Sequence, residues 1–204
     1  MSNHIFNQFD EARKNELIKA FSKYKHVKRL TFSVVDCAEY LNDLLDVLEE
    51  PLEHLSLDFG YLNYDFKLNS KHLSSIKSLH IMQTDASMEL ISSLINRMPN
   101  LEIFNMGSNN IGYKNCLGIA NSLVKLKHLK MLYIFEQLNQ DQYAKIGRVL
   151  KKSESLVSWS VRYSSDVKNK LKKASCKCKR VNIRRKYSLA LNKIFNGKVK
   201  VIVG

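Results

Sequence analysis

The segment LEIFNMGSNNI, Leu101 to Ile111, decides how the rest of the chain is read. Leu101, Phe104, Met106, Asn109 and Ile111 stand at the spacing L-x-x-L-x-L-x-x-N-x-L. The same skeleton recurs upstream as Val27, Leu30, Phe32; as Leu52, Leu55, Leu57; and as Ile76, Leu79, Ile81. Downstream it recurs as Leu129, Leu132, Ile134 and as Leu156, Trp159, Val161, with a weaker copy at Cys178, Val181, Ile183. Successive starts lie 25, 24, 25, 28, 27 and 22 residues apart, which is a repeat and not a coincidence of composition.

The physics of one unit follows from side-chain direction. Side chains alternate along a strand, so the fourth and sixth positions enter a core while the third, fifth and seventh leave it. Between units lie ASMELISSLINRMP, YKNCLGIANSLVKLKH and QDQYAKIGRVLKKSES, with apolar residues at helical spacing. Met88, Ile91, Leu94, Ile95 and Met98 form one such face, ended by Pro99. Leu117, Ala120, Leu123, Val124 and Leu126 form the next. The segment DFGYLNYDFKLNSKHLSS after Leu57 is less regular and reads as a short helix or an extended loop.

This pattern resembles the leucine-rich-repeat family, and helical returns of this length are similar to its ribonuclease-inhibitor-like class. The resemblance implies an α/β solenoid of about seven repeats, with a curved parallel β-sheet on the concave side and helices on the convex side. It divides the chain into an N-terminal capping helix (1–26), leucine-rich repeats (27–177) and a basic C-terminal repeat and cap (178–204). The family usually carries Asn at the ninth position of each unit. Here that column reads Val35, Gly60, Thr84, Asn109, Gln137, Ser164 and Lys186, so irregular turns are expected at the first, second and last units. For the cap, Ile5, Phe6, Phe9, Leu17, Ala20, Phe21 and Tyr24 share one helical stripe. Tyr187, Leu189, Leu191, Ile194 and Phe195 suggest a closing helix, and VKVIVG a last strand.

Composition bounds the function. The chain has 204 residues, 45% of them hydrophobic, with two Pro and seven Gly. That suits one domain of helices and repeated strands better than one built on tight hairpins. No stretch approaches the roughly 20 apolar residues of a membrane span, and the N-terminus lacks a secretory signal's apolar run. A cytoplasmic setting is expected, and four scattered cysteines (Cys37, Cys116, Cys176, Cys178) agree with reducing surroundings. The net charge of +14 is local: residues 167–204 hold 13 Lys/Arg and no acid, whereas residues 1–166 are close to neutral.

No P-loop, dinucleotide glycine pattern, nucleophile elbow or HExxH helix is present, so no catalytic residue and no cofactor is assigned and the chain reads as a non-enzyme. His26, His72 and His128 fall near the ends of a cap or repeat helix, which suggests capping or surface roles. His54 and His80 point outward from neighbouring strands on one face; a partner contact or solvation is preferred there to metal. Cys176-Lys-Cys178 is too small a set for zinc.

The outward columns carry the binding expectation. The third positions read Arg29, His54, Ser78, Ile103, Met131, Ser158, Arg180. The fifth read Thr31, Ser56, His80, Asn105, Tyr133, Ser160, Asn182, and the seventh Ser33, Asp58, Met82, Gly107, Phe135, Arg162, Arg184. Met82, Ile103, Met131, Tyr133 and Phe135 should therefore cluster on adjoining strands with Arg162 beyond them, a combination typical of protein interfaces. The first expectation is a scaffold that binds a protein partner there; a chain segment folded over the patch is the competing reading. The alternative is a peripheral binder of anionic membrane or nucleic acid through the basic end, with Lys179, Arg180, Arg184 and Arg185 as its contacts. Aromatics are rare in that end, so an acidic protein or anionic lipid suits it better than specific nucleic-acid readout. The Lys-, Asn- and Ser-rich usage is similar to that of short leucine-rich-repeat effectors of intracellular bacteria, which implies a host protein as partner and the host cytoplasm as location.

Overall fold

Seven short stretches with apolar residues two apart become seven strands: β1 (Arg29–Phe32), β2 (His54–Asp58), β3 (Ser78–Met82), β4 (Ile103–Gly107), β5 (Met131–Phe135), β6 (Ser158–Arg162) and β7 (Arg180–Arg184). They form one all-parallel sheet in chain order, in a computed structural model that describes residues 11–24, 26–32, 41–58, 71–82, 87–107, 109, 111–136, 138–162 and 180–184. Helices alternate with the strands: α1 (Glu11–Phe21), α2 (Leu41–Asp46), α3 (Met88–Asn96), α4 (Gly112–Leu123) and α5 (Gln140–Leu150). Between β2 and β3 the described chain holds only the 3-10 helix Lys71–Ser75, in line with the irregular sequence there.

The register is that of the repeat. Leu79 pairs with Phe104, Phe104 with Leu132 and Leu132 with Trp159, each from the fourth position of its unit. These four side chains are buried, as are Leu55, Leu57, Ile81, Met106 and Ile134, and they join the helices in one hydrophobic core. A slip of one residue would send every one of them to the opposite face, so burial fixes the pairing. The strand starts reinforce it. The carbonyl of Lys28 accepts from both Glu53 N–H and His54 N–H at 3.0 Å, and the pattern repeats at Glu53, Lys77, Glu102 and Lys130.

The helices are set by caps and by small residues. Ser87 accepts from the N–H of Leu90 at 3.1 Å to start α3, whose Leu90, Ile91, Leu94 and Ile95 enter the core. Asn139 and Gln142 form a reciprocal capping box on α5, satisfying two amides that the first turn leaves without partners. Gly112 opens α4 at φ +71°, a conformation that a side chain would strain. Gly118 lets α4 approach α3: a Cβ there would stand 2.4 Å from the sulfur of Met88.

Three expectations change. In the cap, Leu17 and Phe21 pack on the core with Ile18, but Ala20 is exposed and Tyr24 is 66% exposed. Ala20 stands about 200° round the helix from Ile18, and Tyr24 lies past the helix end at Phe21. His72 is buried and not at the surface: its Nδ1 accepts from Leu52 N–H at 3.4 Å and its Nε2 contacts the Leu48 carbonyl at 3.2 Å. Its ring thus ties the chain after α2 to the start of the second unit. Cys116 and Ile119, absent from the expected stripe of α4, are fully buried there. Ile5, Phe6, Phe9, Cys37, Cys176, Cys178 and the segment from Arg185 onward, with its expected closing helix and last strand, lie outside the described residues.

Candidate functional site

The outer face of the sheet, turned away from the helices, is built from the third, fifth and seventh positions. On it, β3, β4 and β5 bring together Met82, Ile103, Met131, Tyr133 and Phe135, as the columns require. Gly107 sets the spacing at one end of this cluster. It stands in register between Met82 and Phe135, and a Cβ there would lie 2.7 Å from the Phe135 Cβ and 3.3 Å from the Met82 methyl. The absent side chain leaves the space over β4 to the Met82 methyl and Phe135 that flank it. The Tyr133 and Phe135 rings are 6.0 Å apart and tilted by 47°, and the Tyr133 hydroxyl donates to the Met131 sulfur at 3.7 Å.

These five side chains are half-buried rather than openly exposed, because they shield one another. Among the described residues the large hydrophobics that stand exposed are Tyr24 and Val157. Arg162 ends β6, next to Val161, the partner of Ile134, and Arg180 and Arg184 open and close β7. Their side chains, like Lys179 and Arg185 as a whole, lie outside the described residues. Ser158 and Ser160, outward on β6, are both buried, with the Ser160 hydroxyl lacking a hydrogen-bond partner.

Beside the apolar cluster runs a polar chain that the columns alone do not reveal. His80 Nε2 lies 3.0 Å from the buried Ser78 hydroxyl, and His80 Nδ1 lies 3.3 Å from the amide nitrogen of Asn105 on the next strand. The Asn105 NH2 can only donate, so Nδ1 accepts and the ring proton sits on Nε2. The other end of the amide, Asn105 Oδ1, is buried without a partner. Partial burial, and then the charge of His54 on β2, hold His80 below its ordinary value of 6.5. His54 and His80 therefore do neighbour each other. Among the described residues no three His, Cys, Asp or Glu side chains are grouped to hold a metal ion.

Two further features carry no sequence motif. The second positions form a charge ladder in which Glu53 contacts Lys28 at 3.6 Å and Lys77 at 3.0 Å, while Glu102 contacts Lys130 at 2.7 Å. Both carboxyls are held below their ordinary range, chiefly by hydrogen bonds from Lys77 and Lys130 respectively. The signal was present as Lys, Glu, Lys, Glu, Lys at one repeat position, but it is visible only once that column is read. The second feature is Glu136, buried just after β5. One of its oxygens accepts from both the N–H and the side-chain NH2 of Asn109 at 3.1 Å, while that NH2 also donates to the Ile81 carbonyl at 3.0 Å. Asn109 thereby ties three units together, with Glu136 as its acceptor in the fifth. Burial, and then the Glu136 charge, push the Cys116 thiol up to about 12.

Among the described residues no helix is long and apolar enough to cross a membrane. No family model matches the chain, and no curated protein matches it.

Proposed function

We propose that this chain is a leucine-rich-repeat scaffold of the ribonuclease-inhibitor-like kind, whose outer sheet face across β3–β5 contacts a protein partner. The observation that supports this most is the placing of Met82 and Phe135 on either side of Gly107, with Tyr133 and then the Ile103–Met131 pair further along the same face. A face needed only for the fold would be expected to carry polar side chains at these outward positions. Aromatic and Met side chains supply the large contact area on which interface hot spots depend.

The test is affinity capture with the wild-type chain and with Tyr133→Ala and Phe135→Ala. A protein retained by the wild type should be lost from both variants while their unfolding midpoints stay within a few degrees. Equal recovery by all three would overturn the reading.

A second reading rests on residues 167–204, where 13 Lys/Arg stand with no acid. That segment would bind an anionic surface, each cation near a lipid headgroup contributing about 1 kcal/mol. Its check is sedimentation with anionic vesicles. Neutralising Lys179, Arg180, Arg184 and Arg185 together should abolish binding, and binding that survives removes the tail from consideration.

A further inference from the structure

The chain Ser78–His80–Asn105 has one end closed and one end open. Ser78 is buried and accepts the Nε2 proton of His80 at 3.0 Å. Asn105 donates to Nδ1 at 3.3 Å, which turns its carbonyl oxygen away from His80, where it is buried without a partner. We propose that His80 and Asn105 form a proton-coupled polarity switch on the outer sheet face, in which a proton arriving at Nδ1 reverses the Asn105 amide.

Donors and acceptors set the outcome. Protonated imidazole has two N–H groups and no acceptor. Nε2–H keeps Ser78, but Nδ1–H would then point at the Asn105 NH2, donor against donor. Rotating the amide by half a turn presents Oδ1 to Nδ1–H instead and makes a charge-assisted hydrogen bond. The same rotation gives a partner to the acceptor that now has none, so proton uptake costs an amide rotation rather than a stranded charge. The NH2 group then occupies the place that the carbonyl held.

The neighbouring groups set where this happens. Among the described residues β2 presents His54 and Asp58 on this face, β4 presents Ile103, Asn105 and Gly107 with nothing titratable, and β3 itself adds only Ser78 and Met82. Desolvation and then His54 oppose the proton, which places the change on the acid side of 6.5. Above it the buried end of the Asn105 amide is a carbonyl; below it, that end is an NH2 group and the neighbouring His80 ring is charged. The meaning of that change for a partner rests on reading this face as the contact surface, whereas the switch itself does not.

The test therefore uses the free, full chain. Isotope-labelled protein is titrated with acid while the His80 ring nitrogens and the Asn105 side-chain amide are followed by NMR. At neutral pH, Nδ1 should give the shift of an unprotonated nitrogen and Nε2 that of a protonated one. The Asn105 NH2 resonances should then move with the same midpoint as His80. Asn105→Asp should raise that midpoint by about 1 unit or more, as an adjacent carboxylate does, and Asn105→Leu, which offers no acceptor, should lower it. Dispersed spectra show that each variant is folded. An amide that stays still through the His80 titration, a neutral ring protonated at Nδ1, or a midpoint unchanged in both variants would each overturn the proposal.

Discussion

Single residues on this chain are held by bonds that reach across a whole unit. Asn109 is the sharpest case, because it donates twice to the buried Glu136 carboxylate and once to the Ile81 carbonyl. Asn109→Ala should cost about 3 kcal/mol in urea unfolding, since a buried charged acceptor loses a donor and a carbonyl is left unmet. Asn109→Asp should cost more at neutral pH, as it sets a second carboxylate against Glu136. His80 gives a pH dependence whose direction is fixed. Its folded value lies under the unfolded value of about 6.5, so the unfolded chain binds the proton first as pH falls. Its contribution is complete above that value and is lost as pH drops toward the folded one. His54→Asn should make the loss smaller by raising the His80 midpoint toward the unfolded value, which NMR titration reads directly. Cys116, buried and with its thiol pushed up to about 12, should resist alkylation until the chain unfolds.

At the level of elements, caps and close approaches decide where things sit. Removing the reciprocal cap with Asn139→Ala should destabilise α5 by about 1 kcal/mol, measured by thermal unfolding. Gly107→Ala should cost about 1–3 kcal/mol, because its methyl would press on Phe135, which stands on a strand rather than at the end of a flexible chain. The strands were legible in the sequence because a period of two within a period of about two dozen residues leaves one assignment of faces. All five members of the expected apolar cluster fall together for the same reason. Helix faces were harder: at α4 the stripe Leu117, Ala120, Leu123, Val124, Leu126 omitted Cys116 and Ile119, which are as fully buried as Ala120 and Leu123. A helix in this fold packs against a sheet below and helices on either side, so its buried arc is wider than one stripe. Glu136 and His72 could not be found by pattern at all, because a buried polar residue is identified by the partners it meets and those lie 27 and 20 residues away in the chain.

For the molecule as a whole, strands follow one another in chain order, so each layer rests on its two neighbours. Phe104, fully buried at mid-sheet, should cost about 3–5 kcal/mol on replacement by Ala. Hydrogen exchange should be slowest in β3–β5 and faster in β1, which has a described neighbour only on the β2 side and where Leu30 and Phe32 are less completely covered than Leu79 or Leu132. The charge ladder along the strand starts has a parity that matters for shortening the protein. Excising one layer, residues 76–100, would bring β2 against β4 in correct hydrophobic phase but set Glu53 beside Glu102. Excising two, residues 76–128, would set Glu53 beside Lys130. At the strand starts, truncated forms of this protein should thus obey an odd–even rule, like charges meeting after removal of one layer and opposite charges after removal of two.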